Sequence, residues 1–371
     1  MSSDPAARAG ALLEIDLGAI VANWRLLAEH AAPALCAAVV KANAYGLGAA
    51  TVAPALATAG CRLFFVATLD EGIALRAALG PEPEIAVFNG PLPGTAVEFA
   101  AHRLIPVLNE PGQIEVWKGE KPSPPAMLHI DTGMSRLGLC AGEFAAFADE
   151  LPKSGIAWRA IISHLACADT PDHALNEQQR GRFAAATERV PGVPASIAAS
   201  SGIFLGSAYR FDFVRPGAAL YGVNPQPGHP HPMGQVVRLS GKILQVREID
   251  RGESVGYGAA HVMQKPGRVA TVAVGYADGW LRSLSHRGCG YIGGKRIPLL
   301  GRVSMDLVTF DVSAIDAAQV RPGASIELLG EHYGVDDAAA HAGTIGYEIL
   351  TALGSRFHRV YRDPAAKPLP E

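Results

Sequence analysis

"AAVVKANAYGLGA", Ala37–Ala49, decides how the rest of the chain is read. Small and β-branched apolar residues run straight into Lys41, followed by Asn43, Tyr45, Gly46 and Gly48. An unbroken apolar run, rather than an alternating one, is the pattern of a parallel strand buried on both faces. The pattern recurs along the chain, each run followed by a helix-like stretch. The candidate strands are LLEI, CAAVV, LFFVA, EIAVF, IPVL, AMLHI, AIISHL, ASIAAS and FDFVRPG. Among the helix candidates, GEFAAFADEL places Phe144, Phe147 and Leu151 at helical spacing, and NEQQRGRFAAATERV opens on Asn176, a good N-cap. Eight or nine β-then-α repeats between Leu12 and Gly222 predict a (β/α)8 TIM-type barrel, with a doubly wound open sheet as the structural competitor.

The texture changes at PQPGHPHPM, Pro225–Met233, which reads as a linker whose His229 and His231 are solvated rather than metal-binding. Beyond it, VVRLSGKILQVREI, RVATVAVGY, CGYIGG, RIPLL, LVTFDV and SIELLG, with close-set turn residues, predict an all-β C-terminal domain. The expected division is a flexible N-terminus over 1–11, a barrel over 12–233 and a mainly β domain over 234–371. No solenoid-type repeat is present.

Composition narrows the function classes. With 371 residues, 49% apolar and 18% charged, the chain can bury a large core. A net charge of −3 argues against nucleic-acid and anionic-membrane partners, which call for a basic face. The five cysteines are scattered without a C-x-x-C pair, as expected of reduced thiols in the cytoplasm, and no metal site is expected. The opening MSSDPAARAG lacks a basic start and apolar core, so no signal peptide is expected, and no apolar run reaches the roughly 20 residues of a membrane span.

A parallel barrel builds its site at the C-terminal ends of its strands. Lys41 ends what reads as the second strand. Arg136 follows HIDTGMS, His164 ends AIIS, Ser200 and Ser201 end SIAA, and Arg215 ends FDFV ahead of Pro216 and Gly217. A lysine shielded from water loses its proton well below its ordinary pKa of about 10.4 and then attacks carbonyls to form Schiff bases. SSGIF offers hydroxyls and backbone N–H groups at a helix start, suited to phosphate, and Gly217 allows close backbone approach. A carbonyl cofactor with a phosphate tail, such as pyridoxal 5′-phosphate, would use both.

Eight stretches in order, VVKANAYGLG, IDTGMSRLG, SHLACAD, RPGAALYG, VGYGAAH, VGYADGW, GRVSMD and IGYEIL, resemble the successive motifs of the alanine racemases, from Leu12 to about Arg362. The resemblance implies a pyridoxal-phosphate barrel, a β domain and a head-to-tail homodimer interconverting L- and D-alanine. Lys41 would carry the cofactor and act as one base, and Tyr257, from the partner's β domain, would be the second. Two bases suit racemisation, since one group cannot easily reach both faces of the α-carbon. A tyrosine base needs a cationic neighbour, for which His164 and Arg136 are the candidates. Arg215 would face the pyridine nitrogen. Tyr45, Ser201, Gly217, Ala218 and Tyr347 match phosphate-holding positions. Met305 would offer its N–H to the substrate carboxylate with Arg136 opposite, and Tyr276, Arg282, Arg302 and Asp169 would line an access corridor. The product would be D-alanine as a peptidoglycan precursor, or the reaction would run toward alanine breakdown.

Three positions depart from the family pattern. His129 stands where a carbamylated lysine often braces the arginine, Leu47 replaces a histidine, and Ser200 replaces an asparagine. The rival readings are a broad-specificity amino-acid racemase, a basic-amino-acid decarboxylase of the same cofactor class, and a non-enzymatic cofactor carrier. Some 130 residues beyond the linker weigh against the carrier, which resembles only the barrel half.

Overall fold

The computed structural model of the chain describes residues 4–119 and 125–362. Two compact units are present. One comprises Ile20–Leu220 and Asn224–Met233. The other comprises the described residues up to Ala19, Tyr221–Val223 and those from Gly234 onward. Among the described residues no helix is long and apolar enough to cross a membrane.

The first unit is a ring of parallel strands. Its strands are β2 (Leu35–Cys36), β3 (Ala38–Val39), β4 (Leu63–Val66), β5 (Glu84–Val87), β6 (Ile105–Leu108), β7 (Ala126–His129), β8 (Trp158–Ile162), β9 (Ala195–Ser196) and β10 (Phe213–Val214). β3 to β9 pair in parallel in sequence order. A parallel bridge between Ala199 and Arg215 carries the order to β10, and β10 pairs in parallel with β2, closing the ring. β2 and β3 are one run interrupted at Ala37, so the ring holds eight chain segments, as the barrel reading expects. Helices such as Ala49–Thr58, Leu69–Leu79 and Ala174–Glu188 return the chain between strands. The strand interiors are apolar because they are covered on both faces: Phe64, Phe65, Ile85, Val107, Leu128 and Ile161 are all buried. Burying one such side chain contributes about 1.5–3 kcal/mol.

The candidate strand LLEI is not part of that ring. It forms β1 (Ala11–Asp16), which pairs antiparallel with β11 (Val237–Ile249) and parallel with β19 (His358–Arg362). Its burial alternates, with Leu13 and Ile15 inside and Glu14 half-exposed beside Arg362. A strand covered on both faces would not carry Glu14 at its middle. Lys41 therefore follows the first barrel strand, not the second. Residues Pro5–Arg8, expected to be flexible, form a short helix capped by Asp4, with Lys242 Nζ donating to Ala6 O at 2.7 Å. Asn176 is not the N-cap of its helix. His173 caps it, and Asn176 is buried in the first turn, donating to Cys167 O and Thr170 O.

In the second unit, β14 (Gly267–Val272), β15 (Cys289–Ile292), β16 (Lys295–Leu300), β17 (Val308–Asp311) and β18 (Ser325–Leu329) join β11 in the order β14-β17-β16-β15-β18-β11. β11 also pairs with β14, so this sheet closes on itself as a small antiparallel barrel. Long β11 manages both pairings through irregularities at Leu239/Ser240 and Ile243/Gln245. The unit is not all-β, because the helices Val335–Ala342 and Gly346–Ala352 follow β18.

Candidate active site

The strand end at Lys41 is pinned from both sides, with Val39 N–H donating to Pro216 O and Val40 N–H to Phe65 O, both at 2.9 Å. Lys41 Nζ lies 5.9 Å from the centroid of the Phe88 ring. Burial, helped by the nearby Arg136 charge and opposed by Glu71, holds the Lys41 pKa below its usual value. Beyond Lys41 the backbone turns left-handed for four residues, with φ of 50°, 55°, 54° and 53° at Ala42, Asn43, Ala44 and Tyr45. This costs roughly 1–2 kcal/mol per residue and survives only where neighbours hold it. Glu71 Oε1 accepts the Ala42 N–H at 2.6 Å, Gly46 N–H donates to Ala42 O at 2.7 Å, and Asn43 Oδ1 accepts the Ala49 N–H at 2.8 Å.

The turn brings buried Tyr45 against the loop after β10. A β-carbon at Gly217 would lie 2.4 Å from Tyr45 Oη, so only glycine leaves that hydroxyl its place. Ser200 Oγ accepts the N–H groups of Gly217 at 3.0 Å and Ala219 at 3.2 Å. The N–H of Gly217 thus faces Ser200, and what the glycine gives this rim is room for Tyr45. Ser201 is buried at the start of the turn Ser201–Leu205, and Ala218 opens the turn Ala218–Tyr221, where the first N–H has no acceptor within the turn. Gly217→Ala is expected to push Tyr45 aside and weaken retention of a phosphorylated ligand by about tenfold, with the fold kept. Equilibrium dialysis against pyridoxal phosphate, with circular dichroism as the fold control, measures this.

Arg215 is buried, and its donors meet neutral oxygens. Nη1 donates to Ser196 O at 2.8 Å and Ser196 Oγ at 2.6 Å, and Nη2 donates to Ser163 O. Burial pushes its pKa down to about 9, which leaves it protonated at neutral pH. His164, after β8, is pushed down to about 3 by burial and by the charges of Arg215, Arg136, His129 and Lys41. It is neutral, so of the two candidate cations only Arg136 is one. His129 is likewise pushed down, to about 4, by burial first and then by Arg215. Asn109 donates its amide N–H groups to Phe88 O and Val107 O, so its Oδ1 must accept from His129 Nδ1, 2.8 Å away. His129 braces Asn109 rather than Arg136, and among the described residues Arg136 has no hydrogen-bonded partner. The turn ahead of Arg136 is set by Asp131, whose carboxylate takes the N–H groups of Gly133, Met134 and Ser135.

Lys41, Arg136, His129, His164 and Arg215 thus share one electrostatic environment. Its two nearby carboxylates, Glu71 and Asp131, are already held by backbone N–H groups. Such a rim favours an anionic ligand, phosphate or carboxylate. The neutral histidines also set an acid limit. Below the ordinary histidine pKa of about 6.5 the unfolded chain takes up protons that the folded chain refuses, so stability falls as pH falls toward 4 and then 3. The urea midpoint is expected to be lower at pH 5 than at pH 7, by roughly 3–4 kcal/mol of stability for the pair, and His129→Asn is expected to narrow the gap by about half.

Asp169 is exposed in the segment between β8 and the helix Ala174–Glu188. The remaining predicted residues lie in the second unit, where one set of loops gathers them. Tyr257 opens the turn Tyr257–Ala259 and is 72% exposed, and a β-carbon at Gly258 would lie 3.1 Å from Arg302 Nη1. Tyr276 N–H donates to Ser304 O at 3.0 Å and Ala277 N–H to Met305 O at 2.9 Å. Arg356 fastens this junction, with Nε and Nη2 on Asp278 at 2.6 and 2.9 Å and Nη1 on Asp306 at 2.7 Å. Arg282 is tied in through Ser285 Oγ, which donates to Arg282 O at 2.6 Å and accepts the Val303 N–H at 3.0 Å. Tyr347 rides on Gly346–Ala352, whose Ala352 O would stand 1.8 Å from a β-carbon at Gly279.

Sequence reading missed Glu71, Ser196 and Arg356. TLDE, Thr68–Glu71, is a legible capping box, but Glu71's reach across to Ala42 is not. Ser196 and Arg356 sit in stretches without any motif signal.

Comparison with known proteins adds to this geometry. The chain matches the family described as "Alanine racemase, N-terminal domain" over residues 15–225, and "Alanine racemase, C-terminal domain" over 236–361. It is 51% identical over 360 residues to the catabolic alanine racemase of Mesorhizobium japonicum, covering 96% of this chain and 94% of that one. It is 52% identical over 362 residues to the alanine racemase of Rhodospirillum rubrum, covering 95% and 96%. The crystal structure of alanine racemase from Bartonella henselae with covalently bound pyridoxal phosphate superposes with a TM-score of 0.92 at 42% identity, covering 95% of this chain and all of that one.

Proposed function

This chain belongs to the alanine racemase family and interconverts L- and D-alanine with pyridoxal 5′-phosphate, and from that premise we propose which of its residues do the work. One observation carries the assignment. The closed ring of parallel strands sets Lys41, Arg136, His164 and Arg215 within reach of one another's charge, around a lysine whose pKa is depressed. The residues present fit the cofactor. An amine that loses its proton easily suits an aldehyde, and the Gly217–Tyr45 contact leaves a hydroxyl where a side chain would otherwise fill the cradle.

When bound, the cofactor withdraws electrons from the α-carbon and so acidifies its proton. Lys41 would hold the cofactor covalently, and Tyr45, Ser201, Ala218 and Tyr347 would hold its phosphate, with Gly217 making room for Tyr45. Arg215 would face the ring nitrogen as a donor and keep its own proton. Ser163 and Ser196 supply it with neutral acceptors and no carboxylate, so it stays a donor fixed in orientation. Lys41 Nζ exchanges the α-proton on one face of alanine and Tyr257 Oη on the other. Arg136 supplies the cationic neighbour that a tyrosine base needs and faces the substrate carboxylate together with the N–H of Met305, while His164, held neutral, serves as a hydrogen-bonding neighbour and takes no proton. Tyr276, Arg282, Arg302 and Asp169 line the way in, and a small side chain is favoured.

Tyr257 and its neighbours are supplied by a second copy of the chain, so the working form is a homodimer with shared sites. The exposure of Tyr257, Met305, Tyr276 and Tyr347 supports this. The five free cysteines support a reducing cytoplasm, with D-alanine formed as a peptidoglycan precursor. The test is purified protein with pyridoxal phosphate and L-alanine, D-alanine being followed with a stereospecific oxidase and L-lysine and L-serine run alongside. Rapid D-alanine with little D-lysine or D-serine is expected. Comparable rates on all three would favour a broad-specificity racemase, and carbon dioxide release without D-alanine would favour a decarboxylase.

A further inference from the structure

We propose that Glu71 is the positioning residue for Lys41, fixing through the Ala42 amide the left-handed turn that presents the lysine amine. This rests on the assignment of Lys41 as the cofactor-bearing residue. Glu71 is the third residue of the helix Leu69–Leu79 and completes a capping box with Thr68. An ordinary capping box ends at that helix's own first amides. Here Oε2 does that work, accepting the N–H groups of Ala67 at 2.8 Å and Thr68 at 3.3 Å. Oε1 does something else. It takes the N–H of Ala42, 29 residues away and the next peptide after Lys41, at 2.6 Å.

One rigid carboxylate therefore joins two neighbouring strand ends of the barrel, the end of β4 and the turn after β3. The Ala42 amide is where the chain leaves the strand for the left-handed region, and Ala42, Asn43 and Ala44 have no glycine to ease it. Without an acceptor on that amide, the turn is free to relax toward a right-handed helix, which is what alanine prefers. Lys41 would then swing with it, because its Cα is the pivot. Glu71's charge also favours the protonated lysine, against burial and Arg136. Removing the carboxylate therefore leaves the amine more readily neutral but no longer aimed. Charge and geometry pull the two outcomes apart.

The experiment uses the full-length chain stripped of cofactor. Pyridoxal phosphate is added, borohydride fixes what has bound covalently at timed intervals, and peptide mass reads the fraction on Lys41. Wild type, Glu71→Gln, Glu71→Ala and Thr68→Ala are compared, with thermal unfolding of each. Both Glu71 variants are expected to label Lys41 about tenfold more slowly and to lose a similar factor in kcat with little change in KM. Glu71→Gln can serve only one of the two amide sets. Thr68→Ala weakens the cap and lowers the melting temperature, but keeps the bond to Ala42, so its labelling stays within about twofold of wild type. Wild-type labelling rates in both Glu71 variants would overturn the proposal, as would equal slowing in Thr68→Ala, which would make the cap alone responsible. No label on Lys41 in wild type would instead overturn the cofactor assignment.

Discussion

Lys41→Ala is expected to abolish covalent cofactor retention and to lower racemisation by at least about 10⁴-fold. Two functions are lost with one nitrogen, the covalent hold and the proton exchange on one face. Neighbours cannot replace either. Arg215 and Arg136 keep their protons, and His164 is a neutral ring whose pKa is pushed down to about 3, too weak a base for the task. The visible absorbance of the dialysed variant is the measurement, read beside its turnover of L-alanine. A visible band that survives dialysis would remove Lys41 from its role. A variant that loses the band but recovers partial turnover with added methylamine would support it, since the amine then arrives from solution.

Tyr257→Phe is expected to lower racemisation by about 10²–10⁴-fold in both directions, the usual contribution of one general base. The two directions must fall together, because L- and D-alanine are equal in energy and no catalyst can shift that balance. The asymmetry appears in a different measurement. In deuterated water, proton exchange at the α-carbon without inversion needs only one base. One enantiomer should retain exchange close to the wild-type rate through Lys41, while the other loses it. Equal losses of exchange from both enantiomers would argue against one base on each face. Tyr257 is 72% exposed and its ring packs into no core, so its loss of hydroxyl costs the fold nothing and the readout is chemical.

Much of the site could be read from the chain because a parallel barrel turns sequence order into spatial order. Once the apolar runs around Val39, Phe65, Val107, Leu128 and Ile161 are read as strands, the residues just beyond them must meet at one rim. Lys41, Arg136, His164, Ser201 and Arg215 follow from that rule alone. The second unit gave up its strands through shorter β-type runs and close-set turn residues, but its sites came from motif resemblance, since nothing in antiparallel pairing places loop residues at a common end.

What the sequence by itself determined, then, is the pair of architectures and the residue types at the barrel's strand ends, because burial on both faces leaves a plain apolar signature in one unit and close-set turns mark the short strands of the other. Tertiary structure decided the rest. It moved Ala11–Asp16 out of the barrel, since a strand's partners are chosen by which sheet covers its alternating face, and Glu14 needed an open one. It made His164 and His129 neutral, since a pKa depends on how much water and charge surround a ring, not on its neighbours in sequence. It turned Ser200 toward the amides of Gly217 and Ala219, and it carried Glu71 to Ala42, because a hydrogen bond is settled by distance after folding.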